Sequence, residues 1–151
     1  MTRSRQAAGW LLPGGLAILV GLIAAQAQTG PTMLQPVTIR YAPMSSGGGE
    51  SAQLSGPQDQ KGAFYTSRLH LLPGGLVAPH THPDTRYTTV LSGTLHVCTS
   101  AEVSADAARA FPAGSFFIMP AGVVHCSWAK EGEVVYQESG IGPTAVIPVK
   151  K

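Results

Sequence analysis

Five histidines occur in the chain, and three of them are spaced as a metal site requires. In the stretch APHTHPD, His80 and His82 are two residues apart. On an extended strand alternate side chains leave the same face, which sets these imidazoles side by side with their Cα atoms about 6–7 Å apart. Both rings then reach one ion through metal–nitrogen bonds of about 2.0–2.1 Å. His125 follows Pro120-Ala121-Gly122, a turn that fixes where its side chain emerges from a second strand. Taken alone, an HxH pair is as compatible with two exposed or hydrogen-bonded histidines as with a metal site. His70 and His96 stand outside the pattern, and ordinary solvated or hydrogen-bonded strand positions are expected for both.

The elements that must carry these rings are short. Predicted strands run over Ala63 to Leu72, Thr88 to Leu91, Thr94 to Thr99, Ser115 to Met119, Val123 to Ala129 and Glu133 to Glu138. Gly- and Pro-containing turns such as Ser92-Gly93 and Pro112-Ala113-Gly114 separate them. Regular short strands with this punctuation predict an all-β sandwich or closed barrel. Ala101 to Ala110 is alanine-rich but has no apolar stripe, so a surface loop or one short helix is expected there. Residues 28–61, with SSGGGES at their centre, read as a flexible lead-in with one strand-like patch at Val37 to Tyr41. Phe116, Phe117, Ile118, Met119 and Trp128 are expected in the core.

The surroundings of the histidines resemble the cupin family, whose motifs are commonly written G-x5-H-x-H-x(3,4)-E-x6-G and G-x5-P-x-G-x2-H-x3-N. Gly74, His80, His82 and Gly93 match the first motif, and Gly114, Pro120, Gly122 and His125 match most of the second. The resemblance implies a single cupin barrel, a double-stranded β-helix or jelly roll, over residues 62–150. It also implies one divalent metal on His80, His82 and His125. Two positions depart from the pattern: Arg86 stands where the glutamate is usual, and Ala129 where the asparagine is usual. Asp84 and Thr85 lie near the glutamate place, and spacing assigns neither as a ligand.

Three neutral imidazoles leave the charge of a divalent ion unmet and coordination positions open, as in a reactive site. Imidazole ligands suit Fe, Mn, Ni, Cu or Zn better than Ca or Mg. An Arg86 guanidinium about 6 Å away would repel a divalent ion by on the order of 5 kcal/mol at an effective dielectric of 20. Either Arg86 snorkels out of the barrel mouth, or an anionic ligand bridges metal and guanidinium. The second arrangement is the expectation, and it makes Arg86 a candidate catalytic residue. By resemblance the activity is that of a metal-dependent dioxygenase or related oxidoreductase acting on a small anionic or chelating molecule. The alternative is a non-catalytic module that binds a metal or small ligand. Pairing into a homodimer through edge strands is compatible with the resemblance.

Apolar residues make up 44% of the 151-residue chain and charged residues 12%, which suits one folded domain rather than a disordered chain. Removing Arg3 and Arg5 from the ten basic side chains leaves eight against eight acidic ones, so no nucleic-acid footprint is present. Residues 1–27 have the parts of a secretory signal: Arg3 and Arg5, an apolar run from Trp10 to Ala25, and Ala25-Gln26-Ala27 as a cleavage site. Cleavage after Ala27, a periplasmic or secreted location and no stable membrane insertion afterwards are expected. In an oxidising compartment Cys98 and Cys126 could pair if their Cα atoms lie within about 7 Å. Two buried thiols are the default expectation.

Overall fold

The computed structural model describes residues 30–149; the expected signal and its cleavage site lie outside them. Eleven strands follow one another: β1 Ala42–Pro43, β2 Gly49–Ser55, β3 Phe64–Leu71, β4 Leu76–Thr81, β5 Arg86–Ser92, β6 Thr94–Cys98, β7 Arg109–Pro112, β8 Phe116–Met119, β9 His125–Trp128, β10 Val134–Ile141 and β11 Ile147–Pro148. Among the described residues no helix is long and apolar enough to cross a membrane. The strands form two antiparallel sheets, ordered β1-β2-β3-β10-β5-β8 and β11-β4-β9-β6-β7. This is the all-β architecture that the strand spacing predicts, in the jelly-roll form that the resemblance implies.

Strand alternation divides the interior into an apolar end and a polar end. On β10 the inward residues are Val134, Tyr136, Glu138 and Gly140, because side chains of one parity share a face. Register then sets rows across the sheet. Tyr136 lies between Leu69 of β3 and Val90 of β5, whereas Glu138 lies between Ser67 and Thr88. Val134 pairs with Leu71 in the apolar end, and Gly140 pairs with Tyr65 in the polar end. The apolar rows belong to a core that includes Leu71, Val90, Leu95 and Tyr136. The polar rows face the histidines.

The structure departs from the expected elements at several places. Val37 to Tyr41 holds a 3-10 turn at Pro36–Thr38 rather than a strand. The Gly- and Ser-rich segment instead contributes β2, which pairs with β3 from Gly49 to Ser55. Its glycines carry the close approach, since a Cβ on Gly49 would lie 2.1 Å from the His70 carbonyl oxygen. The alanine-rich stretch ends in β7, because Arg109 to Pro112 pairs with β6. Met119 is buried, but Phe116 and Ile118 are 59% and 51% exposed, and these two expected core residues stand on the outer face of edge strand β8. Four-residue strands present alternate residues to water, and hydrophobicity alone does not say which parity faces in.

Cys98 and Cys126 form a disulfide, contrary to the default of two thiols. They are direct partners on the adjacent strands β6 and β9, with Cα atoms 5.1 Å apart. The link ties β9, which begins at His125, to β6. With 28 residues of separation, the bridge restricts the unfolded chain by about 3–4 kcal/mol on loop-closure entropy. Replacing both cysteines by alanine is therefore expected to lower the denaturant-extrapolated stability by a few kcal/mol. An unchanged unfolding midpoint would contradict this.

Candidate metal centre

His80 lies near the end of β4, His82 just beyond it, and His125 opens β9 directly opposite His80. The turn before β9 is tied to the same place, since Gly122 N–H donates to the His82 carbonyl at 2.9 Å. Gly122 has φ +75°, a left-handed conformation that favours glycine. All three rings are buried, and their centroids are 4.3 Å (His80–His125), 4.6 Å (His80–His82) and 5.0 Å (His82–His125) apart. One ligand atom from each lies within 4.8 Å of the other two.

Backbone carbonyls select the tautomer. Nδ1 of His80 is 2.7 Å from the Ala78 oxygen, that of His125 is 3.0 Å from the Val123 oxygen, and that of His82 is 2.6 Å from the Ala145 oxygen. A carbonyl oxygen only accepts, so each Nδ1 carries the proton and each Nε2 is left with a lone pair. Nε2 of His80 and His82 are 3.0 Å apart. Two bare lone pairs at that separation share no proton and repel one another unless a cation lies between them. Two bonds of about 2.1 Å at right angles would separate their nitrogens by about 3 Å. The donor set therefore fits a divalent transition metal.

Burial lowers the pKa of all three rings, and for His82 burial and the Arg86 charge together bring it to about 4. The rings are thus neutral and ready to ligate at pH 7. Histidines in an unfolded chain titrate near pH 6.5. Below that value the unfolded chain takes up protons that the folded state refuses, so the stability of metal-free protein falls as pH drops. The shift at His82 corresponds to a loss on the order of 3 kcal/mol by the time pH reaches about 4. Melting temperatures of metal-free protein recorded from pH 7 to 4 should decline, and more steeply than those of His82→Gln. A flat profile would contradict the assignment.

Arg86 is 8% exposed and does not snorkel to the mouth. Its Nη1 donates to Glu138 on β10, its Nη2 donates to Thr144 Oγ1 at 2.8 Å, and its Nε lies 3.8 Å from Asp84. Nη2 is also 3.0 Å from His82 Nδ1, but that nitrogen already spends its proton on Ala145 and offers no lone pair. Burial works against the guanidinium charge, yet Glu138 and Asp84 hold its pKa above the usual value. The charge is met inside the protein by Glu138 and Asp84, so the exit to solvent is not made.

Asp84 completes a buried network, accepting from Tyr65 Oη and Thr144 Oγ1 at 2.5 Å each. Burial and the bond to Asp84 push the Tyr65 hydroxyl up to about 12, so it remains a donor. Thr85 stands apart, its hydroxyl accepting from Ala121 N–H at 3.3 Å. Ala129, in the usual asparagine place, is fully buried and joins the motifs through its backbone: Gly74 N–H donates to its carbonyl at 2.8 Å. His70 lies outside the centre, 3.2 Å from both Glu50 and Glu133. His96 likewise stands apart, 3.7 Å from Glu131.

Sequence reasoning missed Glu138, Tyr65 and Thr144. For Glu138 a signal existed, because it shares strand parity with Val134 and Tyr136 in an otherwise apolar series. Two spaces share Met44, Ser46, Leu69, Arg86 and Val146 as wall residues. An inner cavity of ≈ 40 Å³ is bounded by the three histidines, Glu138 and Arg86. An outer one of ≈ 380 Å³ is bounded by the segment from Pro43 to Ser46, Gln58, Arg86 and the strap from Thr144 to Val146.

The sequence profile of the Cupin family matches residues 49–147. No curated protein matches the chain. Among solved structures, the polyketide cyclase RemF from Streptomyces resistomycificus superposes with a TM-score of 0.68 at 14% identity, over 81% of this chain and 87% of its own. KdgF from Halomonas sp. gives 0.58 at 15% identity, covering 81% of this chain and 97% of its own. A double-stranded β-helix protein from Klebsiella pneumoniae subsp. pneumoniae gives 0.55 at 20% identity, covering 74% and 92%. At these identities the likeness is one of fold. With both histidine motifs inside the matched span and the two-sheet barrel around them, the chain belongs to the cupin family.

Proposed function

We propose that the protein is an exported, metal-dependent oxidoreductase that holds one divalent transition metal on His80, His82 and His125 and acts on a small chelating molecule. What carries this reading is the convergence of three Nε2 lone pairs, each set by a carbonyl bond at Nδ1, beside a space that opens outward. When bound, the ion supplies Lewis-acid and redox chemistry at the positions the three rings leave open. The protein's own groups bind and orient. The carbonyls of Ala78, Val123 and Ala145 aim the rings, and Arg86 fixes Glu138 and the Thr144 strap beside them. Arg86 acts in this reading as a positioning residue rather than as a clamp for an anionic substrate.

Metal analysis of the mature, tag-free protein, followed by oxygen uptake with β-diketones, thiols and phenolic acids, tests the activity. One iron per chain with uptake is expected. Tight stoichiometric metal without turnover of any substrate would instead establish the binding module. Export is supported by the N-terminal residue pattern and by the disulfide, since such bonds persist in oxidising compartments. N-terminal sequencing of the exported protein should begin at Gln28, and an intact Met1 would overturn cleavage.

A further inference from the structure

We infer that the outer cavity receives the uncharged, hydroxyl-bearing tail of the chelating molecule whose head lies at the three histidines. This rests on the metal-centre reading and narrows it.

Volume divides the ligand into two parts. The inner cavity of ≈ 40 Å³ is little larger than the roughly 30 Å³ that one water occupies in the liquid. It therefore admits the ligating atoms of a small molecule and no more. The outer cavity of ≈ 380 Å³ lies within the usual range of small-molecule sites, about 300–1,000 Å³. Met44, Ser46, Leu69, Arg86 and Val146 bound both spaces, so a molecule whose donor atoms enter the first has its remainder in the second.

The outer wall specifies the chemistry of that remainder. Its polar side chains are Ser45, Ser46, Ser51, Gln58 and Thr144, all uncharged, set beside the apolar Met44, Leu69 and Val146. Gln58 is oriented by donating its amide to Ser67 Oγ at 2.6 Å, which leaves its carbonyl oxygen as an acceptor. Arg86 is the one charged residue bounding this space among those described, and its guanidinium is engaged by Glu138 and Thr144. A carboxylate or phosphate here would lose water and gain no free cation. A hydroxyl both donates and accepts, and so finds partners among serines and an amide. The strap that forms part of the wall also carries the Ala145 carbonyl that orients His82, so the tail lies against a segment that sets a ligand.

The test uses two catechols that share a head and differ only in the tail: 4-(2-hydroxyethyl)catechol and 3,4-dihydroxyphenylacetate. Each is titrated by calorimetry into zinc-loaded mature protein, with zinc content measured in parallel. The hydroxyethyl compound is expected to bind at least tenfold more tightly. Ser51→Lys, which adds a cation to the outer wall away from the histidines, is expected to retain one zinc per chain and to shift the preference at least tenfold toward the carboxylate. Equal or tighter binding of the carboxylate by the wild type, or no binding of either compound, overturns the inference while one zinc per chain leaves the metal centre standing. Loss of stoichiometric zinc overturns both.

Discussion

Replacing His125 with alanine should abolish stoichiometric metal loading while leaving the barrel folded. His125 is the single member of the cluster that comes from the second motif, so its loss leaves only the HxH pair from one stretch of chain. Loss of a group that merely orients a ligand costs roughly 10–100-fold in metal affinity, and loss of a ligand should exceed that. The fold should survive because the apolar rows around Leu71, Val90 and Tyr136 do not involve the ring. The readout is thermal. At metal concentrations about 100 times the dissociation constant, binding stabilises the native state by about 2.7 kcal/mol, an increase on the order of 10 °C for a domain of this size. Wild type and His70→Ala should both show the increase, and His125→Ala should show none. An equal metal-induced increase in His125→Ala would end the metal-centre reading.

The second large effect is expected at the Arg86–Glu138 pair. Breaking a buried ion pair from one side leaves an uncompensated charge and costs about 3–5 kcal/mol, whereas exchanging both partners for apolar residues is often close to neutral. Glu138→Ala should therefore destabilise the protein by several kcal/mol, and Arg86→Met/Glu138→Leu should recover more than half of the loss. The single variant should also bind metal at least tenfold more weakly, because the guanidinium beside His82 then opposes the ion with Asp84, 3.8 Å away, as its remaining carboxylate partner. Denaturant titration and metal competition measure the two effects separately. A Glu138→Ala variant as stable as the wild type would show that the pair does not carry the charge balance described here.

Most strands were legible because they rest on local information. Alternation along Glu133 to Glu138 and Ala63 to Leu72, with Gly–Pro punctuation, locates β10 and β3 to within a few residues. β2 was not legible, since SSGGGES has little strand propensity and pairs only because its glycines allow the backbone to pass close to β3. β7 was hidden for a related reason: its alanine-rich approach carries no period, and pairing with β6 decides its conformation.

Strand period and turn chemistry determined an all-β sandwich or barrel, and motif spacing carried the resemblance that implied the cupin form and the three histidines, because all of these are properties of contiguous residues. Only the tertiary structure decided how the charge of Arg86 is met, whether the two cysteines meet and what bounds the outer cavity. Each depends on residues far apart in the chain, Arg86 with Glu138, Cys98 with Cys126 and Met44 with Val146, which come together only when sheet register is set. Burial then makes those encounters consequential, since away from water a charge requires a partner that no local spacing reveals.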